Sequence, residues 1–198
     1  MKKITLQLLI ILLLAGHGMK GQAFQSGTNV LGIGVGIGGY YDIGSYSSQS
    51  PALGISYEHG MSWHAGGGVI GLGGYFGYKT FSYHYDYPFI GNYYIDEKWT
   101  YMIIGIRGAY HYDFAHNDKL DTYGGIMISF DNLSYSYNDT YYTAANGYPY
   151  YSHPNSYSSG LYPTLFVGAR YYLSNSIGIF AEGGYGISYI TIGINFKF

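Results

Sequence analysis

Large apolar residues alternate with small or polar ones along most of the chain, at a period of two. In Leu31-Gly32-Ile33-Gly34-Val35-Gly36-Ile37-Gly38 one face is wholly apolar and the other wholly glycine, the signature of a strand with two unlike sides. Leu53, Ile55 and Tyr57 alternate in the same way with Gly54, Ser56 and Glu58, and Ile70, Leu72, Phe76 and Tyr78 with Gly71, Gly73, Gly77 and Lys79. Met102, Ile104, Ile106 and Tyr110 stand against Gly105, Arg107, Ala109 and His111, and Ile126, Ile128 and Phe130 against Met127, Ser129 and Asp131. Segments 165–173, 177–185 and 189–198 complete a count of eight. The links between segments also alternate: short ones near 59–63, 115–119 and 174–176, long ones over 42–50, 83–98 and 132–160. Pro51 and Pro163 fall at the starts of strands, where a missing N–H is tolerated.

Period two does not say which face looks inward. A soluble ligand-carrying barrel of the lipocalin kind would hold the apolar face inside and show the other face to water. Composition decides against it. The chain is 10% charged and 20% aromatic, with 28 tyrosines, whereas soluble domains average about 25% charged. The non-apolar face is mostly Gly, Ser and Ala, too poor in Lys and Glu to be solvated but well suited to the narrow interior of eight strands. After residue 23 no run approaches the roughly 20 apolar residues of a membrane helix, so contact with lipid must be made by a closed barrel with its apolar face outward. The expected fold is all-β, an eight-stranded antiparallel up-and-down transmembrane β-barrel.

The N-terminus carries Lys2 and Lys3, an apolar run over 4–15, and small residues at Gly16, Gly18, Gly21 and Ala23, the order of a cleavable signal peptide. With Gly21 and Ala23 at −3 and −1, residues 1–23 are read as signal and 24–198 as the barrel domain. Without Lys2, Lys3 and Lys20 the mature part has six basic residues against 11 acidic ones, a net charge of −5, so nucleic acid is not an expected partner. With no cysteine there is no disulfide framework, thiolate metal site or lipid-acceptor thiol.

The last segment, 189–198, ends on an aromatic and sets Ile190, Ile192, Ile194, Phe196 and Phe198 on one face. It resembles the C-terminal recognition signal of outer-membrane barrels. The whole mature chain resembles the small eight-stranded family typified by the OmpA membrane domain and OmpX. Ser56-Tyr57-Glu58-His59-Gly60 and segments 120–124 and 180–186 are similar to those of a widespread subgroup of it whose role is not defined. The resemblance implies an integral bacterial outer-membrane protein with both termini periplasmic, contact with outer-membrane lipids, and insertion by the barrel-assembly machinery with the last strand as docking element.

No enzymatic centre or cofactor is expected. His59, His64, His84, His111, His116 and His153 are scattered without the close spacing of metal ligands. Ser82 with His84 is the nearest approach to the acyl-transfer set of a lipid-modifying barrel enzyme, but such sets are defined by geometry rather than proximity in sequence. The glycine repeats lack the strand-to-helix setting and the lysine of a phosphate loop. Asn132 and Asn138 begin glycosylation-type triplets, which carry no weight in a bacterial protein. Tyr40, Tyr41, Tyr78, Tyr110, Tyr112, Tyr171 and Tyr172 near strand ends are candidates for interfacial girdles. The Tyr-, Ser- and Asn-rich link 132–160 has the composition of an adaptable surface for an extracellular ligand, as in an adhesin or receptor.

Extrapolated inward, the alternation places Glu58, Arg107, Arg170 and Glu182 in the lumen, with Arg170 and Glu182 diagonal across a tight turn and expected to pair. With Tyr75 and Phe180 they should plug the barrel.

Overall fold

The computed structural model describes residues 23–39, 46–87, 93–139 and 159–198. Their strands are β1 (Asn29–Ile37), β2 (Ser48–Gln49), β3 (Ala52–Ala65), β4 (Gly68–Tyr87), β5 (Tyr93–Tyr112), β6 (Leu120–Asp139), β7 (Gly160–Tyr172), β8 (Ile177–Gly184) and β9 (Ile190–Lys197). β2 is a two-residue stub on the upper part of β4, so the wall itself has eight strands. Every pairing is antiparallel. β1 joins β3 on one side and β9 on the other, and β4–β5 pairing completes the ring, so the wall has no open seam.

The outer surface is the apolar face of the alternation. Ile106 is 75% exposed, Leu165 69%, Ile104 66% and Ile194 49%, while their neighbours Arg107, Phe166, Ile103 and Asn195 are buried. Such a belt would be untenable in water and suits hydrocarbon. Tyr110, Tyr112 and Tyr171 are outward and partly exposed near the short-turn end, as girdle residues should be. Tyr172 is not: one residue further along it points inward and is 2% exposed, with the Lys197 ammonium 4.1 Å from its ring centroid. Tyr40 and Tyr41 lie outside the described residues.

Two expectations about connections are corrected. The first short turn is at Gly66-Gly67, not 59–63. Both glycines have positive φ (54° and 92°), as a two-residue hairpin turn matched to strand twist requires, and 59–63 lies within β3 beside a register shift between Gly60 and His64. The second correction is larger. Residues 83–98 and 132–160 are expected as long links, but β4, β5 and β6 each run for 20 residues, with pairing maintained to Tyr87↔Tyr93 and Ile95↔Asp139, so 83–87, 93–98 and 132–139 are strand; 88–92 and 140–158 lie outside the described residues. A tilted membrane strand needs about 9–11 residues, so these three continue well past the apolar belt as a ribbon. Pro163 sits inside β7, opposite Ile128 of β6 and short of Phe166, where β8 pairing begins, so its missing N–H costs no ladder bond on the β8 side.

Candidate functional site: a closed lumen beneath a two-faced ribbon

Both arginines of the chain are inside the barrel, each 3% exposed. Taking two cations out of water is costly unless their donors meet carboxylates in good geometry. They do so in two clusters. Near the short-turn end, Arg170 Nη2 donates to Glu58 Oε2 at 2.7 Å and Nη1 to Asp121 Oδ2 at 3.1 Å. His111 sits between the same two carboxylates, Nδ1 to Asp121 at 2.8 Å and Nε2 to Glu58. Ionised carboxylates only accept, so with both ionised the two bonds need donation from both His111 ring nitrogens. The Phe24 ring stacks on His111 with centroids 3.7 Å apart and an interplanar angle of 14°.

Further along the axis Arg107 Nη2 donates to Glu182 Oε2 at 2.7 Å, and the Tyr123 hydroxyl donates to the same oxygen at 3.1 Å. Arg107 lies 4.0 Å from the Phe166 ring centroid and Arg170 lies 4.3 Å from that of Tyr123, so aromatic faces separate and cap the two guanidinia. Lys79, 1% exposed, donates to the Gly38 carbonyl at 2.5 Å and lies 4.9 Å from the Phe81 ring centroid. Beside Arg107 a small cavity of about 30 Å³ is lined by Tyr75, Glu182, Thr164, Ser188 and Thr191 among others; it has room for water rather than a solute.

All four charged residues selected from the alternation face the lumen, but the pairing is different. Arg170 takes Asp121 and Glu58, and Glu182 takes Arg107 from across the barrel. Asp121 stands directly opposite Arg170 in the β6–β7 register, whereas Glu182 is opposite Gly168 and so only diagonal to Arg170. Direct neighbours are about 2–3 Å closer than diagonal ones. Sequence reasoning passed over His111, Asp121 and Tyr123 as members of the clusters; their inward parity was the available signal. Ile190, Ile192, Ile194 and Phe198 are exposed along β9, with Phe196 half-buried on the same face.

Above the belt the same parity gives the ribbon two faces. On the lumen side Phe81, Trp99 and Tyr101 are buried, with Tyr46, Tyr83, Leu133 and Tyr135 packed against them, and the Tyr135 hydroxyl donates to Glu97 at 2.8 Å. On the outer side the lipid-facing residues give way to Thr80, Ser82, His84 and Asp86 on β4, Thr100, Lys98 and Asp96 on β5, and Asn132, Ser134, Ser136 and Asn138 on β6. That switch marks where hydrocarbon ends. His84 meets Asp96 through Nδ1 at 2.5 Å and Asp86 through Nε2 at 3.3 Å, which leaves neither ring nitrogen open to Ser82. Donation from His84 Nδ1 to the Asp96 carboxylate holds the His84 pKa above its ordinary value. Among the described residues no three His, Cys, Asp or Glu side chains converge as metal ligands. His59 bonds Asn29 Oδ1 at 2.8 Å; His153 and the His64 side chain lie outside what is described.

A closed antiparallel barrel with an apolar outer belt and a charge-paired interior is a transmembrane β-barrel of the small, eight-stranded type. Among solved structures it is similar to the outer-membrane protein OprG of Pseudomonas aeruginosa, with a TM-score of 0.53 and 11% identity over 91% of this chain and 99% of that one. It is also similar to Ail, the attachment invasion locus protein of Yersinia pestis, solved with the heparin analogue sucrose octasulfate (TM-score 0.48, 11% identity, 88% of this chain and 100% of that one). The N-terminal barrel domain of P. aeruginosa OprF gives a TM-score of 0.44 at 13% identity over 88% of this chain and 98% of that one. No protein-family model matches the sequence, and no curated protein matches it either.

Proposed function

We propose that the mature chain is a non-enzymatic integral protein of a bacterial outer membrane, closed to solutes through its centre, that acts at the cell surface through the β4–β6 ribbon. Both termini then face the periplasm, at the end that carries the short turns. One observation carries the surface role: three strands of 20 residues outrun the apolar belt, and beyond it they keep one aromatic and one polar face. A barrel that served only to fill membrane would need none of that length. Tyrosine-rich faces with Ser and Asn neighbours combine large contact area with adaptable hydrogen bonding. The surface for an extracellular ligand expected over 132–160 is assigned instead to the paired ribbon, in which 132–139 is the outer end of β6; residues 140–158 lie outside the described ones.

The test is to shorten the β4–β5 hairpin at the Phe81↔Trp99 level and to replace 132–158 by a short turn, then to compare adherence of cells displaying each form to matrix-coated surfaces. The variant should reach the outer membrane in normal amount and lose adherence. Equal adherence would remove the ribbon from the function and leave an envelope structural protein. Mass spectrometry of lipid A with and without the protein addresses the remaining enzymatic alternative; an unchanged profile is expected.

A further inference from the structure

The residues just before β1 do not trail away from the barrel. Gly27 N donates to the Gly60 carbonyl at 2.7 Å, Thr28 N to the Gln25 carbonyl at 3.0 Å, and Gln25 N to Thr28 Oγ1 at 3.0 Å, so the segment doubles back into the short-turn mouth. Gly27, at φ +82°, makes the reversal. Phe24 is thereby inserted until it is 1% exposed, clustered with Val30 of β1 and Val69 of β4, stacked on His111 of β5, and 5.8 Å from the Arg170 guanidinium of β7. Beside the ring the remaining gap, lined by His111, Tyr112, Asp113, Leu120 and Asp121, is about 10 Å³, no more than one water needs.

We propose that residues 24–28 are a built-in latch: the N-terminal segment of the barrel domain occupies its own short-turn mouth, with Phe24 as the cork. The site for that ring is assembled from β1, β4, β5 and β7, and the Gly60 carbonyl that fixes the hook comes from β3. Val69 and His111 face each other on neighbouring strands, but Val30 and Arg170 reach the same ring only from the walls on either side, so the full site is complete in the curled, closed wall and seating of Phe24 follows closure. Once seated, the ring shields the Glu58–His111–Asp121–Arg170 cluster from water at that end. The inference rests on the closed-lumen reading and deepens it by naming what closes that end.

Because the chain has no cysteine, Val69→Cys places a single thiol beneath the cork. The full chain carrying V69C, reconstituted in lipid vesicles, is treated with a water-soluble maleimide, alone and combined with Phe24→Ala or Gly60→Ala. Gly60→Ala keeps the phenyl ring but sets a methyl against the Gln25 carbonyl and so expels the hook. V69C alone should label at least about tenfold more slowly than either double variant, each shown to be folded by its compact mobility in unheated SDS gels. Equal rates in all three overturn the latch. If V69C alone labels rapidly and the unmodified protein passes no current in planar bilayers, the latch is wrong and the closed lumen stands; steady current through the unmodified protein overturns both.

Discussion

Asp121 faces Arg170 directly across the β6–β7 ladder, and Glu58 reaches the same guanidinium from the opposite wall. Removing one carboxylate from such a cluster strands the cations it served. Glu58→Gln should therefore cost about 3–5 kcal/mol, read by urea unfolding of the protein in lipid vesicles. Glu97→Gln, whose partner is the Tyr135 hydroxyl on the ribbon, should cost less than about 1 kcal/mol by the same measurement. A cost for Glu58→Gln no larger than that of Glu97→Gln would deny the cluster its role. At the exposed end His84 gives a pH-dependent counterpart. Its folded pKa is raised, so the contact with Asp96 contributes fully below the ordinary histidine value of 6.5 and is lost as pH rises through the higher folded value. In an NMR titration the His84 ring should titrate above 6.5, and Asp96→Asn should bring the midpoint down; an unchanged midpoint would place the bond elsewhere. At this scale inward parity was legible for every lumen charge. Pairing was not, because Arg107 to Glu182 and Arg170 to Glu58 cross the barrel between strands that are not neighbours, and only the closed ring sets those distances.

Among the elements, the alternation identified all eight wall strands but not their lengths. The ribbon keeps period two, yet its outer face turns from Ile and Met to Ser, Thr, Asn and Asp, and polar residues read as loop when strands are expected to stop at the membrane surface. The Gly66-Gly67 dipeptide is itself a turn signal, whereas the Gly-containing 59–63 segment, where a short link is expected, holds a register shift. The polar switch makes a graded prediction. Ile106→Lys, in the belt, should lower folding free energy by about 2–4 kcal/mol in lipid vesicles, whereas Thr100→Lys, on the same face of the same strand beyond the switch, should cost about 0–1 kcal/mol. Equal costs would misplace the edge of the hydrocarbon. For β9, Phe198 is 41% exposed at the strand end and buries little, so Phe198→Ala should change unfolding by less than about 1 kcal/mol while sharply lowering the amount assembled in the outer membrane. Equal membrane levels of variant and parent would remove its role as a docking signal.

At the scale of the whole molecule, one alternation does three jobs along one chain. It sets lipid-compatible residues outside, glycines and paired charges inside, and, where the strands outrun the membrane, an aromatic face toward the axis and a polar one toward water. Low charge content with abundant tyrosine points to a lipid-facing exterior, and the interior follows because a ring of eight strands is just wide enough for side chains to fill. What composition could not show is that the N-terminal segment returns to close one end, since that depends on contacts made only after the ring forms. A lumen crossed by Arg107–Glu182 and Arg170–Glu58, and stoppered by Phe24, should not carry ions freely. Single-channel recording of the purified protein in planar lipid bilayers tests this most directly: the closed barrel predicts no large, steady conductance, and a stable porin-like conductance would contradict it.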